Sequence, residues 1–337
     1  MRAKKNEFCW VFSALIACLS GGCGSTPSSP TLTFSHILSE QSEWHVGAVK
    51  WKELVEEKLG GRLTIRLVPG ASLSNNNQRT ELEMVQAGTL GGSWESTILL
   101  TVVDPRWTVW SLPWLFDSYA EAETVCESEL GQAMLASLEP KGIKGLAYGF
   151  NGFRHLTNRK HPVGTLKDMQ GLKIRVPSLP MFISLYRLWG ADPSQMNFGD
   201  LIMALQEGAM DGQENPLHVI HSSGLHELQK YLTVWKYSFD PIVFCLSRNA
   251  WESLTPEQQR IVSAAARAAA KYQREVVVRN EKEHLKFLQE HGVTVTLPSP
   301  EAVEEFKKAS KPIYDEYRAV IGVELFNRYL KATGNAG

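Results

Sequence analysis

Apolar and polar positions along most of this chain alternate between two periods, which predicts strands followed by helices. Residues Thr31–His36 alternate with a period of two. Residues 44–59 then carry apolar side chains at a helical spacing, which stops at Gly60. A second strand is predicted over 63–68, after which Pro69-Gly70 turns the chain.

The same rhythm continues through the next part of the chain. Further helices are predicted over 80–87, 121–138, 181–189 and 199–206. Further strands are predicted over 145–150, 155–157, 172–176 and 242–246. Strands that alternate with helices are typical of an α/β architecture, in which helices cover the faces of sheets.

One predicted helix is much longer than the others. Thr255 is a suitable N-cap, Pro256 fits the first helical position, and nothing breaks the pattern before Gly292. Such a helix has about 35 residues and is about 50 Å long. Its apolar residues do not keep a heptad repeat, so we expect it to run across two lobes rather than form a coiled coil.

Length and charge limit the classes of function. A chain of 337 residues suits two lobes of about 150 residues each. The formal net charge is −1, which provides no basic field for nucleic acid and no polybasic strip for a lipid surface. We therefore expect no nucleic-acid partner, and any charge that matters must be local to a site.

The beginning of the chain has the pattern of an export signal and linker over 1–30. Three basic residues lie within the first five, and the apolar run over 8–19 is too short to span a bilayer. Small residues precede Cys23, and a polar linker follows it over 24–30. The segment resembles a bacterial lipobox with Cys23, or Cys18, as the lipidated residue. The alternative is a cleaved secretory signal in which these cysteines are incidental.

Motifs for common enzyme chemistry are absent from the sequence. It contains no G-x-S-x-G elbow, no phosphate-binding loop, no H-E-x-x-H helix and no dinucleotide-binding glycine turn. His218, His221 and His226 come nearest to a metal cluster, but no carboxylate or cysteine completes them at a standard spacing. We interpret them as solvent-facing residues of a helix and its exit turn. The sequence therefore predicts no metal site, no cofactor and no enzyme.

Six strings in the chain belong together by their order and spacing. They are L-P-W-L-F at 112–116, N-G-F-R-H-L-T-N at 151–158, G-L-K-I-R-V-P at 171–177, G-A-D-P at 190–193, A-L-Q-E-G at 204–208 and D-G-Q-E-N-P at 211–216. The set resembles the DctP-type substrate-binding proteins of tripartite ATP-independent periplasmic (TRAP) transporters. The resemblance extends from about residue 32 into the long helix and beyond.

This resemblance implies a fold and a function. The fold is that of a two-lobed periplasmic binding protein, with crossing strands, a long helix over both lobes and the ligand between them. We expect one lobe to contain 31–151 plus about 241–275, and the other 152–240 plus about 276–337. The implied function is capture of a small carboxylate and its delivery to TRAP membrane subunits. The implied location is the periplasm, where the lipobox pattern predicts a lipid anchor, and we expect a monomer.

The resemblance also implies ligand-binding residues in the second lobe. Arg175 matches the family's carboxylate-binding arginine, whose planar guanidinium can meet both carboxylate oxygens. Arg154 matches a second arginine, which either reaches the ligand or forms an ion pair that stabilises the hinge. Asn215 matches an amide donor beside the carboxylate. Phe198 matches an aromatic residue of the cleft, and plain core packing is its alternative.

The first-lobe residues are the ones that would select the ligand. Glu95 aligns with a position that contacts polar groups of some ligands, and its neighbour Trp94 could form the wall instead. Asn77 lies in a polar turn where other members place a polar contact. If Trp94 and Trp189 line the cleft, an aromatic acid would fit. Two arginines permit either a monocarboxylate or a dicarboxylate.

Two rival functions are compatible with the same residues. An enzyme could use Arg154 and Arg175 as a substrate clamp, but it would need a base nearby. His155 is the only candidate adjacent in sequence, and in an alternating strand it would point away from Arg154. A carboxylate-sensing protein that feeds a receptor would differ only in its partner.

Overall fold

The computed structural model describes residues 29–334 and contains two β-sheets covered by helices. The strands are β1 (Thr31–His36), β2 (Thr64–Pro69), β3 (Gly92–Ser96), β4 (Ile143–Phe153), β5 (His155–Asn158), β6 (Lys173–Val176), β7 (Asp192–Gln195), β8 (Gly212–Asn215), β9 (Tyr231–Thr233), β10 (Phe239–Ser247) and β11 (Thr294–Thr296). The helices are α1 (Glu43–Leu59), α2 (Gln78–Ala87), α3 (Thr97–Leu100), α4 (Tyr119–Glu127), α5 (Glu129–Ala136), α6 (Pro180–Leu188), α7 (Phe198–Gln206), α8 (Leu217–Ser222), α9 (Arg248–Ser253), α10 (Pro256–Glu290), α11 (Pro300–Ile321) and α12 (Val323–Ala332). The predicted α/β architecture is confirmed.

The first sheet has the strand order β2-β1-β3-β10-β4. Strand β1 pairs in parallel with β2 and β3, whereas β10 is antiparallel to β3 and β4. Aromatic side chains from three of these strands meet on one face. The ring centroids of Phe34 and Phe244 are 4.4 Å apart, and those of Trp94 and Phe244 are 4.8 Å apart. Trp51 of α1 completes this core, with its ring centroid 4.7 Å from that of Phe244.

The second sheet has the strand order β11-β9-β5-β8-β6-β7. Strand β6 is parallel to β7 and β8, and β5 is antiparallel to β8 and β9. Trp189 is fully buried beneath this sheet. Its ring centroid lies 5.1 Å from that of Trp235 and 5.4 Å from that of Phe306 on α11. Apolar burial on this scale is the main favourable contribution to lobe stability.

The chain passes between the two sheets by short connections. Strand β4 of the first sheet ends at Phe153, and β5 of the second begins at His155, so only Arg154 separates them. Strand β9 of the second sheet leads back to β10 of the first. The two lobes predicted from the sequence are therefore joined by crossing strands.

Helix α10 is the long helix predicted from the sequence, and its ends agree with the prediction. Thr255 accepts a hydrogen bond from the Gln258 backbone N–H, and the Gln258 side chain accepts one from the Thr255 N–H, which forms a capping box. Further along, the Gln273 amide pairs with both the N–H (2.8 Å) and the C=O (2.8 Å) of Phe150 on β4. The helix is thereby fixed to the strand that leaves the first sheet.

Some elements differ from the prediction. The helix predicted over 121–138 is broken into α4 and α5 at Ser128, whose hydroxyl accepts from the Gly131 N–H and caps α5. Helices α11 and α12 had no counterpart in the prediction. Tyr329 of α12 packs on Trp110 with ring centroids 5.2 Å apart, so the last helix also touches the first lobe. Over residues 29–334, no helix combines the length and apolarity needed to cross a membrane.

Candidate functional site

A cleft lies between the two sheets. Many of the residues that line the cleft lie at or just after the carboxyl ends of strands. Open α/β sheets bind their ligands at these strand ends. These residues are Ile37 and Leu38 after β1, Ser96 at the end of β3, Pro177 and Ser178 after β6, Met196 after β7, and Asn215 at the end of β8.

Arg175 lies in β6 with its guanidinium in the cleft wall and is 2% exposed. Its Nε and Nη2 donate to the carbonyl oxygen of Met196, at 3.0 and 2.7 Å. Nη1 has no hydrogen-bond partner within residues 29–334. Burial lowers the pKa of Arg175 to about 10, and Glu214 opposes this shift only in part. The guanidinium is therefore a buried cation with three N–H donors, two on Nη1 and one on Nη2, that make no hydrogen bond within residues 29–334 and are available to a ligand.

Phe198 begins α7 and also lines the cleft. Its ring centroid lies 5.9 Å from the Arg175 Cζ, within the range of a cation–π contact. The side chain is half-buried and packs against hydrophobic clusters in both lobes. Phe198 thus both lines the cleft and packs against the hydrophobic cores, the two positions considered for it from the sequence.

Arg154 is buried between the two lobes and carries protein partners on all three nitrogens. Nε and Nη2 donate to the Glu214 carboxylate of β8, the latter at 2.7 Å. Nη1 donates to Oδ2 of Asp240 on β10 at 2.9 Å. Burial alone would lower the pKa of Arg154, but the two carboxylates outweigh it and raise the pKa. The contacts therefore match the hinge ion pair that the sequence left as one of two roles.

Asn215 lies beside Arg154 in the cleft wall and is 4% exposed. Its Oδ1 accepts from the Arg154 Nη2 at 3.2 Å, and its Nδ2 donates to the Gln213 Oε1 at 2.5 Å. An amide nitrogen carries two hydrogens, so one N–H of Asn215 remains for a ligand.

Asp240 is a cleft residue that sequence reasoning missed. It is fully buried, and its carboxylate accepts from Asn151 Nδ2 at 2.7 Å, Arg154 Nη1 at 2.9 Å and Ser96 Oγ at 2.7 Å. The sequence feature that could have indicated it is an aspartate inside the apolar string F-D-P-I-V-F. A carboxylate buried in such a string needs paired charges and hydrogen bonds.

Trp94 and Glu95 are not among the residues of the cleft wall, contrary to expectation. Trp94 is fully buried in the aromatic core of the first sheet, as described above. Glu95 points to the opposite face, where Ser93 Oγ donates to its Oε1 at 2.6 Å. Burial and the nearby Glu81 raise the pKa of Glu95 well above its usual range. Ser96, at the end of the same strand, reaches the cleft instead. The suggested wall residue Trp189 is likewise in the core.

Asn77 lines the cleft in the first lobe and caps α2, with its Oδ1 accepting from the Thr80 N–H at 3.1 Å. Its neighbour Asn76 makes a contact across the mouth of the cleft, where its carbonyl accepts from Asn197 Nδ2 at 2.9 Å. Gly199 permits this approach, because a Cβ there would lie 2.5 Å from the Asn76 carbonyl oxygen. The two lobes thus touch at the cleft entrance.

The predicted exposure of the histidine group is wrong for His218, which is 3% exposed. Its Nε2 lies 2.8 Å from the Asn151 carbonyl oxygen, and its Nδ1 lies 3.0 Å from Glu43 Oε2 on α1. His284 of α10 binds the same carboxylate, and its Nδ1 lies 2.8 Å from that of His221. Burial raises the pKa of Glu43, but the two histidines outweigh it and hold the pKa well below its usual value.

This cluster joins α1, α8 and α10 at the hinge. Within residues 29–334, no group of three or more His, Cys, Asp or Glu side chains is arranged to hold a metal ion.

His155, the base that an enzymatic clamp would use, is fully buried outside the cleft. Its Nδ1 accepts from the Trp235 N–H at 3.3 Å, and burial lowers its pKa to about 3.

The chain is similar to known proteins over nearly its whole length. The sequence profile of the bacterial extracellular solute-binding protein family 7, DctP, matches residues 34–319. The 2,3-diketo-L-gulonate-binding periplasmic protein YiaO of Escherichia coli K12 is 30% identical over 284 residues, which cover 84% of this chain and 86% of that protein.

Two solved structures share the fold. A TRAP periplasmic solute-binding protein from Ralstonia eutropha H16 with bound (S)-2-acetolactate has a TM-score of 0.87 and 32% identity, covering 90% of this chain and 98% of that one. The sugar acid binding protein DctPAm from Advenella mimigardefordensis, in complex with galactonate, has a TM-score of 0.88 and 30% identity, covering 92% and 99%. These similarities extend over both lobes and the cleft.

Proposed function

The chain belongs to the bacterial extracellular solute-binding protein family 7, DctP, and from this membership we propose that it captures a small carboxylate in the cleft for a TRAP transporter. Proteins of this family are periplasmic solute-binding proteins of transporters. Similar proteins carry organic acids, among them acetolactate and galactonate. Delivery to the transporter's membrane subunits follows from the same membership.

The observation that carries the proposal is the environment of Arg175. It is a buried cation, yet no Asp or Glu oxygen within residues 29–334 lies within 4.0 Å of its side-chain nitrogens. Burying an unpaired charge is costly unless a partner of opposite sign arrives. A ligand carboxylate would supply that partner and accept charge-assisted hydrogen bonds.

The proposed contacts divide between the two arginines and their neighbours. Arg175 anchors the carboxylate, and the remaining N–H of Asn215 donates beside it. Phe198 and Asn77 face the rest of the ligand from opposite lobes. Arg154 acts as the ion pair that fixes Asn215 and the strand crossing. In this proposal, Trp94 and Glu95 do not contact the ligand.

A thermal-shift screen of organic acids tests the function. A ligand at about one hundred times its Kd stabilises the folded state by about 2.7 kcal/mol, which raises the melting temperature by about 5 °C. The methyl ester of the same acid is the control, because it lacks the charge that Arg175 would bind. A chain that responds to no organic acid, or equally to the ester, is not a carboxylate-binding protein.

We further propose that the protein works as a monomer whose lobes close on the ligand. The lobe limits are those predicted above, 31–151 plus about 241–275 and 152–240 plus about 276–337. The contact between Asn76 and Asn197 supports closure, because it joins the lobes at the cleft mouth. Small-angle scattering is expected to give the mass of one chain and a smaller radius of gyration with ligand. The mass of a dimer would contradict the monomer. An unchanged radius of gyration at saturating ligand would contradict closure of the lobes.

We also propose that the periplasmic protein is held at the membrane by lipid on Cys23 or Cys18. Both residues lie outside the described residues 29–334, and the support is the sequence pattern around them. Several acyl chains on one cysteine would hold the protein firmly, whereas one chain alone binds weakly. Mass spectrometry of the mature protein is expected to find an acylated N-terminal cysteine. An unmodified N-terminus cut elsewhere would remove the anchor.

A further inference from the structure

The charges around the cleft are balanced before any ligand enters. Arg154 and Arg175 provide two positive charges, and Glu214 and Asp240 provide two negative ones. Both carboxylates are held by Arg154, so Arg175 alone has no ion-pair partner. Arg79 also borders the cleft, but its side chain is 67% exposed and pairs with Glu83 at 3.1 Å. The cleft therefore offers one uncommitted buried cation, which suits one carboxylate.

The buried neutral polar side chains of the walls are mostly committed to protein partners, whereas Gln78 and Ser178, nearer to solvent, make no side-chain hydrogen bond within residues 29–334. Ser96 Oγ donates to Asp240 and accepts from the Ile98 N–H at 3.1 Å. Asn151 donates to Asp240, and its Oδ1 accepts from the Trp44 indole N–H at 3.0 Å. These groups have little hydrogen-bonding capacity left, so ligand hydroxyls that they faced would be buried without partners.

The larger part of the remaining wall is apolar and comes from both lobes. The side chains that form it are Ile37, Leu38, Trp44, Leu99, Met196 and Val219. An apolar ligand surface gains free energy when it leaves water for such a wall, whereas a hydroxyl or a second carboxylate loses its hydration. The wall thus favours a ligand body without polar groups.

We infer that the ligand of this cleft is a monocarboxylate with an apolar body, rather than a dicarboxylate or a polyhydroxylated sugar acid. The carboxylate binds Arg175 and the Asn215 N–H, and the apolar body contacts the wall of Leu99 and Val219. This inference rests on the proposed function, because it takes the cleft as a carboxylate site and names the class of acid.

Calorimetry with three six-carbon acids tests the inference on the purified protein. Hexanoate, gluconate and adipate share the chain length and differ in hydroxyl groups or in a second carboxylate. Hexanoate is expected to bind at least about ten-fold more tightly than either of the others, with a negative heat-capacity change. Tighter binding of gluconate or adipate overturns the inference and leaves the proposed function intact. If neither these three acids nor any organic acid in the thermal screen binds, the proposed function fails, and the inference fails with it.

A substitution in the apolar wall provides a second test. Val219→Thr keeps the shape of the side chain but adds a hydroxyl, so the affinity for hexanoate is expected to fall about three-fold or more. Val102→Thr is the matched control, because Val102 is 41% exposed and does not border the cleft. The melting temperature without ligand shows whether each variant is folded. Unchanged hexanoate affinity in folded Val219→Thr contradicts contact between the ligand body and this wall.

Discussion

Replacement of Arg175 by alanine is expected to weaken carboxylate binding about 30-fold or more. The ligand carboxylate leaves water when the cleft closes, and Arg175 is the buried cation without an ion-pair partner that can compensate it. Removal of one partner of a buried charge pair costs about 2–5 kcal/mol. Since about 1.4 kcal/mol corresponds to a factor of ten in Kd, the lower end of this range gives the expected loss. Isothermal calorimetry measures it.

Arg175→Lys is expected to weaken binding as well, because an ammonium group cannot hold the Met196 carbonyl and a carboxylate with a planar fork. Lys173→Ala is the matched control, since Lys173 lies in the same strand with its side chain exposed. Folding should survive in all three variants, because Lys173 is exposed and neither Arg175 variant leaves a buried carboxylate without its ion-pair partner. Wild-type affinity in a folded Arg175 variant would place the carboxylate elsewhere.

The elements with strong local signals were predictable from the sequence. The bounds of α10 follow from the Thr255 cap, the Pro256 start and an unbroken run of helix formers. Strand β1 follows from its alternation of apolar and polar residues. The break between α4 and α5 was not predictable in this way, because the cap at Ser128 competes with a helical pattern on both sides.

The candidate site was predictable where a short string fixes the position of a residue. Arg175 and Asn215 lie at the ends of parallel strands, and the structure brings both to the cleft. Trp94 and Glu95 could not be placed, because alternation shows only that they face opposite sides. Both sides of this strand are buried, as is usual for parallel strands covered by helices, so neither side chain reaches the ligand space.

The network around Arg154 could not be predicted, because its members are distant in sequence. Glu214 is 60 positions away and Asp240 is 86 positions away. Only the crossing of strands between the two sheets brings them together. The sequence therefore leaves both roles of Arg154 open. The contacts in the folded chain support the ion pair, and this role leads to a specific expectation about stability.

Glu214→Gln is expected to lower the free energy of unfolding by about 3–5 kcal/mol, the usual cost of breaking a buried ion pair from one side. Glu214 is fully buried and accepts from two nitrogens of Arg154 and from the Tyr237 hydroxyl at 2.7 Å. Glutamine keeps the size of the side chain but removes its charge. Arg154 then keeps only Asp240 as an ionic partner. Urea denaturation followed by circular dichroism measures the change.

Glu257→Gln is the matched control for this experiment. Glu257 makes a two-pronged pair with Arg62, at 3.0 and 3.2 Å, but both side chains are more than half exposed. Water and salt screen such a pair, so its loss should leave the unfolding curve unchanged. Because Arg154 bridges strands of both lobes, the Glu214 variant should lose stability in the absence of any ligand. A Glu214→Gln protein as stable as the wild type would show that Arg154 does not stabilise the hinge, and would return it to the role of a ligand contact.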